Sequence, residues 1–255
     1  MDTRTLSSSS LVTTQIAHPP NNNTSLADTS TATPIQPASI EHGTPLHAFF
    51  KDESVQPLST AERGRVVTAL KTGIAWVKQA IAALSKPFSK ETKELVSELI
   101  PGSLENPSDR KMLENQLSHT LDGMQTMLDR QASNVGSSAE MPGYNALTNR
   151  KTGQMHISSE YLSDASDGSL AATLVHEASH AYANTDDNWV VAPHTPSKWE
   201  SFKSMFSSTA PPKFDRAAAP GKEQASYTAP NAMDNAYTVQ YTTEVLAGRP
   251  YDSLE

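Results

Sequence analysis

Between Ser59 and Leu128, apolar residues recur at intervals of three and four positions. Because an α-helix turns once every 3.6 residues, this spacing predicts helices that each bury one apolar face. The first helix is expected to begin at the capping-box sequence Ser59-Thr60-Ala61-Glu62 and to end before Pro87. A second is expected from Ser89 to Ile100, and a third is expected to be capped by Ser108. The core is therefore predicted to be mainly helical.

The apolar pattern shortens after the third predicted helix. Residues 133–145 are rich in Gly, Ser and Pro and are expected to form a loop. The stretches Tyr144–Leu147 and Gln154–Tyr161 flank the turn sequence Asn149-Arg150-Lys151-Thr152-Gly153. Two short strands on either side of such a turn predict a small β-hairpin.

Two more helices are expected in the last third of the chain. One runs from Leu170 to about Ala183, and the other runs from about Ala232 to Ala247, where Gly248 follows. The segment between them, Pro193 to Gly221, is rich in Pro, Ser and Lys and is expected to be irregular. Together these elements predict an α+β fold that is mainly helical, with a small β-hairpin or sheet.

Residues 1–55 differ in composition from the rest of the chain. Ser, Thr, Pro and Asn dominate, and Arg4 is the only Arg or Lys before Lys51. Such a stretch buries too little apolar surface to offset the entropy lost on ordering. It is predicted to be a disordered tail, followed by one folded domain at residues 56–255.

Composition excludes several classes of protein. The net charge is -8 and the pI is about 5.5, which argues against a nucleic-acid partner. No run of about 18 apolar residues exists, so no membrane span is expected, and no Sec signal peptide is expected either. The chain has no cysteine, so any metal must be held by histidine and carboxylate.

The predicted helix at Leu170 contains the sequence His176-Glu177-Ala178-Ser179-His180. Residues four apart lie on one face of a helix, so both imidazoles can converge on one ion. Glu177 lies at the edge of the same site, where it can reach a water that the metal activates and take its proton. The motif therefore predicts a zinc peptidase site with Glu177 as the general base.

A catalytic zinc needs a third protein ligand and an open position. Asn184-Thr185 is a turn-forming pair, so the chain that follows the helix can fold back and bring an aspartate near the metal. The downstream residues able to serve as a third ligand are Asp186, Asp187, His194, Glu200, Asp215, Glu223, Asp234 and Glu244.

The motif followed by Thr185-Asp186-Asp187 resembles the aspzincins, the deuterolysin and peptidyl-Lys metalloendopeptidase clan. The resemblance implies a zincin-like metallopeptidase domain that binds Zn²⁺ through His176, His180 and Asp187. A second family pattern is similar to Asn231-Ala232-Met233-Asp234-Asn235-Ala236-Tyr237. It implies that Asp234 supports the site by fixing a histidine tautomer.

The chain lacks the tyrosine that stabilises the oxyanion in the aspzincins. The family has a tyrosine three residues after the ligand aspartate, where this chain has Val190. The phenol that stabilises the oxyanion must then come from elsewhere or be missing. Tyr227, Tyr237 and Tyr241 are the candidates, and we assign this role to Tyr237.

Other third ligands stay open at this point. Glu244 on the last helix would give a site like that of the gluzincins, and Asp234 is a further carboxylate. His194 would give a three-histidine set similar to the metzincins, although its spacing from His180 differs from theirs.

The spacing of the aspartates is similar to that of aspzincin-like effectors that bacteria inject into host cells. The Ser-rich tail also resembles the signals of type III secretion, and the lack of cysteine is unlike the disulfide-bonded fungal deuterolysins. The resemblance therefore implies a secreted monomeric endopeptidase that is injected into the host cytoplasm and cleaves a host protein. Two alternatives are a non-proteolytic zinc hydrolase, such as an amidase, and a catalytically inactive helical interaction module.

Overall fold

The first half of the folded region is helical, as the sequence predicts. The computed structural model describes residues 55–102, 104–141, 144–194, 213–218, 227–249 and 254. Helix α1 spans Thr60–Leu84, α2 spans Lys90–Leu99 and α3 spans Pro107–Asp129. The predicted capping box is confirmed, because Ser59 Oγ accepts the Glu62 backbone N–H at 3.3 Å and the Glu62 carboxylate accepts the Ser59 N–H at 2.8 Å. Except for Val55, the predicted tail lies outside the described residues.

The cap predicted for helix α3 was wrong. Asn106, and not Ser108, caps the helix, and its Oδ1 accepts the Ser108 backbone N–H at 2.9 Å. Pro107 occupies the first turn, where its missing N–H costs no hydrogen bond.

A four-stranded sheet lies beside these helices. Its strands, which pair in the order β1-β2-β4-β3, are β1 (Val55–Pro57), β2 (Val135–Ser138), β3 (Ala146–Asn149) and β4 (Gln154–Ser158). The predicted hairpin is confirmed as the antiparallel pair β3 and β4, with β3 at the edge of the sheet. The prediction of a loop at 133–145 was wrong for β2, which pairs in parallel with β4.

The strand predicted to reach Tyr161 ends earlier. Strand β4 stops at Ser158, and helix α4 (Ser159–Asp164) follows it directly. Helix α5 (Asp167–Ala183) then begins three residues before the predicted Leu170, because Ser166 Oγ accepts the Ser169 N–H at 3.0 Å and caps it.

The segment expected to be irregular contains a strand. Strand β5 (Trp189–Pro193) pairs antiparallel with β6 (Phe214–Ala218), which lies inside the range predicted to be irregular. The rest of that range, apart from Pro193, His194 and Lys213, lies outside the described residues.

The last predicted helix is divided in two. Helix α6 (Ala229–Met233) and helix α7 (Ala236–Leu246) are separated by Asp234 and Asn235. The prediction of one continuous helix was wrong because the backbone at this joint pairs with Asp186. The Asp186 N–H donates to the Asp234 carbonyl at 2.8 Å, and the Ala236 N–H donates to the Asp186 carbonyl at 3.0 Å.

Helix α5 is the central element of the core and packs against α1, α3 and α7. Two glycines allow the closest approaches. A Cβ on Gly123 of α3 would lie 2.1 Å from the ring of Tyr182, and a Cβ on Gly73 of α1 would lie 3.2 Å from Val175. This packing fixes α5 on several sides, so the side chains that it carries are held in place.

The fold is α+β, with helices forming most of the core and a small sheet on one side. This coarse prediction is confirmed. None of the helices that the structure describes is both long enough and apolar enough to cross a membrane.

Candidate metal centre

Helix α5 carries three functional side chains in its buried part. His176, Glu177 and His180 are 7%, 5% and 7% exposed. The Nε2 atoms of the two histidines lie 3.2 Å apart, as expected for residues four apart on one helix face. Two lone pairs at this distance repel each other, so the arrangement favours a proton or a cation between the nitrogens.

The chain reverses direction immediately after α5. Asn184 ends the helix in the left-handed conformation, with φ 57° and ψ 33°, and its backbone N–H donates to the Ser179 carbonyl. Asparagine tolerates this conformation better than most residues with a side chain. The reversal leads Thr185, Asp186 and Asp187 back along the helix towards the histidines.

Thr185 connects the reversed chain to the histidines. Its carbonyl oxygen accepts a hydrogen bond from His180 Nδ1 at 2.9 Å. Because a carbonyl only accepts, Nδ1 carries the hydrogen and Nε2 of the neutral ring keeps its lone pair for a ligand. The hydroxyl groups of Ser179 and Thr185 also lie 2.7 Å apart. Because Ser179 Oγ donates its hydrogen to the His176 carbonyl, Thr185 is the donor in this contact.

Asp187 completes a group of three ligand atoms. Its Oδ1 lies 3.4 Å from His176 Nε2, and its Oδ2 lies 3.3 Å from His180 Nε2. One ligand atom from each residue lies within 4.8 Å of the others. Zinc bonds of 2.0–2.1 Å at tetrahedral angles place neighbouring ligand atoms about 3.3 Å apart. The three residues therefore lie close enough together to serve as ligands of one cation, which would leave a fourth position for water or substrate.

The charges of these residues support each other. Burial alone would raise the pKa of Asp187, but the adjacent imidazoles of His176 and His180 and their positive charge hold it well below its usual range. Burial alone would lower the pKa of His180, but Asp187, the Thr185 carbonyl and the charge of Glu177 raise it above 6.5. Asp187 is therefore ionised at any ordinary pH and available as an anionic ligand.

Glu177 points into the same space without joining the ligand group. Its Oε2 is buried and has no hydrogen-bond partner among the described residues. Buried carboxylate oxygens are normally hydrogen-bonded, so an unpartnered one indicates a group that acts on something not belonging to the chain. This placement suits a base that receives a proton.

Tyr237 of helix α7 packs against His176. The ring centroids lie 4.4 Å apart in an edge-to-face arrangement. Burial raises the pKa of the Tyr237 hydroxyl, and the negative charges of Asp187 and Glu177 raise it further. The phenol therefore keeps its hydrogen at neutral pH and can donate a hydrogen bond.

These residues lie in a cleft of about 580 Å³. The cleft is lined by His176, Glu177, His180, Asp187 and Tyr237, together with residues of β3 and β5. It is large enough for a segment of extended polypeptide or for a drug-sized molecule.

The other suggested third ligands lie elsewhere. Glu244 forms a buried ion pair with Arg249 and accepts a hydrogen bond from Gln240. His194 Nδ1 lies 2.9 Å from the carboxylate of Asp215. Neither residue belongs to the ligand group found among the described residues, so the geometry favours Asp187 over both. Glu200 and Glu223 lie outside the described residues.

Asp234 does not fix a histidine tautomer, because the Thr185 carbonyl holds His180 Nδ1 and His176 Nδ1 has no hydrogen-bond partner in the part of the chain that the structure describes. The prediction for Asp234 was therefore wrong. Its carboxyl instead lies near Asp186 and Arg150, and burial followed by the charge of Asp186 raises its pKa.

The two other tyrosines have separate roles. Tyr227 donates a hydrogen bond to the Leu99 carbonyl, far along the chain from the motif. Tyr241 lines the cleft but packs against Phe214 with ring centroids 5.4 Å apart. Of the three candidates, Tyr237 is the one whose ring contacts a histidine of the motif.

Asn235 is a site residue that the sequence analysis missed. It is fully buried, and its Oδ1 accepts the backbone N–H groups of both Asn188 and Trp189 at 3.0 Å. These residues follow Asp187 directly, so Asn235 fixes the segment that carries the third ligand. The only sequence signal was its place in the Asn231–Tyr237 pattern, where attention fell on Asp234.

No family model, no curated protein and no solved structure matches this chain. The resemblance to the aspzincins therefore depends on the motif residues themselves. The arguments for function must come from the geometry of the site.

Proposed function

We propose that this protein is a zinc-dependent endopeptidase with a zincin-like catalytic domain. The observation that carries the proposal is the spacing of 3.2–3.4 Å among His176 Nε2, His180 Nε2 and the Asp187 carboxylate. A buried oxygen of Glu177, which also lines the cleft, has no hydrogen-bond partner among the residues that the structure describes. Structural zinc sites are closed by four protein ligands, whereas three ligands beside an unpaired carboxylate favour a catalytic site.

The residues of the chain divide the work of hydrolysis. His176, His180 and Asp187 would hold the ion, which supplies Lewis acidity to activate water and polarise a carbonyl. Glu177 takes a proton from the attacking water and passes it to the leaving amine. Tyr237, whose phenol stays protonated, donates a hydrogen bond to the oxygen that becomes negative.

The natural substrate in this proposal is a protein of a host cell into which the chain is injected. The Ser-rich composition of residues 1–55 supports this setting, because it resembles type III secretion signals. The cleft of about 580 Å³ is large enough for a segment of extended polypeptide.

Two variants test the proposal. We expect Asp187→Ala to lose most of its zinc, because two histidines alone bind it weakly. Glu177→Gln should keep the zinc of the wild type and lose at least about 100-fold in turnover, because the base is removed and no ligand is changed. Zinc is measured by elemental analysis, and turnover is measured as cleavage of unfolded casein and of host-cell lysate.

The paired outcomes separate the alternatives. A full zinc complement in Asp187→Ala would remove Asp187 from the ligand set. Cleavage by Glu177→Gln at the wild-type rate would contradict the assignment of the base. Hydrolysis of short acylated peptides without cleavage of any protein would favour an amidase.

A further inference from the structure

In the described part of the chain, most of the large apolar side chains that are exposed lie at the cleft. Among the described residues, the large hydrophobic side chains that are exposed are Met112, Tyr144, Leu147 and Val190, at 36%, 59%, 46% and 37%. All of them except Met112 line the cleft. Apolar side chains that cluster on a surface indicate a place where another molecule binds.

The alternation along two strands directs these side chains into the cleft. On β3, Leu147 follows Ala146, which is buried on the other face. On β5, Val190 lies between Trp189 and Val191, which are both buried. Because successive strand residues point to opposite faces, the buried neighbours fix Leu147 and Val190 on the open side.

The charged side chains that line the described part of the cleft are Arg150, Glu177, Asp186 and Asp187. Arg150 forms an ion pair with Asp186 at 2.8 Å, and Asp187 belongs to the ligand group. Glu177 is the proposed general base, so its carboxylate is reserved for the attacking water. In the described part of the cleft, a charged ligand side chain lying against Leu147 and Val190 would lose hydration without gaining an opposite charge.

We propose that Leu147 and Val190 form the walls of a specificity site for a large apolar side chain next to the bond that is hydrolysed. The substrate class is then a polypeptide segment with Leu, Phe or a similar residue at that position. Tyr144, the most exposed of the three, lines the same cleft. This inference rests on the proposed peptidase function, because the walls adjoin the metal centre.

The test uses binding, so that it does not depend on turnover. Short peptide hydroxamates that differ only in one side chain, Leu, Phe, Gly, Lys or Glu, are titrated into the zinc-loaded full chain by calorimetry. The hydroxamate group anchors each of them at the metal. We expect the Leu and Phe compounds to bind at least about tenfold more tightly than the others, which is the usual effect of filling an apolar pocket.

Variants show whether the walls cause the preference. Leu147→Ser and Val190→Ser should each reduce the advantage of the Leu compound several-fold and leave the Gly compound unchanged. Met112→Ser is the matched control, because Met112 is an exposed apolar residue outside the cleft, and it should retain the full preference. As a second variant, Val190→Lys should bind the Glu compound more tightly than the wild type does.

Equal binding affinity for all five hydroxamates would overturn the inference. The inference would also fail if Leu147→Ser and Val190→Ser both kept the wild-type preference for the Leu compound. Sequencing the cleavage sites in a proteome-derived peptide library separates this result from the proposed function. Cleavage without enrichment of apolar residues at the cleavage sites would refute the specificity site but not the proposed peptidase activity. Selective binding of the Leu and Phe compounds without any cleavage would refute the peptidase activity but not the apolar binding site.

Discussion

The two histidines of the motif are held in different ways. His180 donates from Nδ1 to the Thr185 carbonyl, so a hydrogen bond sets both its ring orientation and its tautomer. His176 Nδ1 has no hydrogen-bond partner among the described residues, and the ring instead packs against Tyr237. The orientation of His176 therefore depends on an aromatic contact, which gives Tyr237 a structural task besides its proposed chemical one.

Two substitutions at Tyr237 separate those tasks. Tyr237→Phe keeps the ring and removes the hydroxyl, so we expect normal zinc affinity and a fall in turnover of about 10²–10³, as for loss of an oxyanion donor. Tyr237→Ala also removes the contact with His176 and should weaken zinc affinity as well. Zinc affinity is measured by competition with a chromogenic chelator, and turnover is measured on casein. Unchanged turnover in Tyr237→Phe would move the oxyanion donor to another group.

The shifted pKa values of His180 and Asp187 make the stability of the metal-free protein depend on pH. The raised pKa of His180 gives stability that is fully present below pH 6.5 and lost as pH rises through the folded-state pKa. The lowered pKa of Asp187 gives stability that is present above pH 3.8 and lost as pH falls through its folded-state pKa. The pair therefore stabilises the metal-free chain most between about pH 4 and 6.5.

This dependence is measured as the difference in thermal midpoint between metal-free wild type and Asp187→Asn. The difference should be largest between about pH 4 and 6.5 and should shrink at higher pH. Other titrating groups contribute equally to both proteins, so they cancel in the difference. A difference that stays constant from pH 4 to 9 would contradict the ion pair.

At the scale of elements, the joint between α6 and α7 holds the segment that carries Asp187. Asn235 accepts two backbone hydrogen bonds from this segment, and Asp186 pairs with the backbone on both sides of Asn235. Asn235 is thus a positioning residue, because it does not reach the ligand atoms itself.

We expect Asn235→Ala to weaken zinc binding by about 10- to 100-fold, the range seen when groups that orient metal ligands are removed. Asp234→Asn is the adjacent control. Because Asp234 does not belong to the ligand group, removing its charge should leave zinc affinity unchanged. Chelator competition on both variants measures the effect, and equal affinities in the two would reject the positioning role of Asn235.

The contact between α3 and α5 depends on Gly123. A Cβ at this position would overlap the ring of Tyr182, so Gly123→Ala should lower the free energy of unfolding by about 1–3 kcal/mol. Gly64 of α1 has no atom within 4 Å of such a Cβ, and Gly64→Ala should raise stability by about 0.5–1 kcal/mol. Urea denaturation compares the two. Equal effects would show that helix propensity, and not packing, governs both positions.

At the scale of the whole molecule, the parts that could be predicted from sequence are those with a local cause. The capping box at Ser59 and the apolar spacing in α1 lie within a few residues of one another, so the pattern identifies the helix. Strand β2 has the sequence Val-Gly-Ser-Ser and forms because its neighbours in the sheet pair with it. The break between α6 and α7 likewise depends on Asp186, far away in the sequence.

The residues of the candidate site likewise divide into those with a local cause and those that depend on tertiary contacts. His176, Glu177 and His180 could be proposed from their spacing on one helix, and the turn after it indicated that an aspartate would lie near them. The choice of Asp187 among the candidates came from the resemblance to the aspzincins. Asn235, and the packing of Tyr237 on His176, require the tertiary contact of α7 with α5. Glu244 was a plausible ligand by residue type, and its burial against Arg249 could not be read from the pattern.

The left-handed turn at Asn184 has a consequence for how the site can be assembled. All three candidate ligands lie within residues 176–187, and the turn brings them together in space. Closing the site therefore costs only the conformational entropy of one short loop. Zinc could then bind this stretch as soon as the end of α5 is formed, before distant parts of the chain meet. The same property makes the stretch transplantable, since another helical scaffold could receive the ligand set by exchange of one contiguous piece.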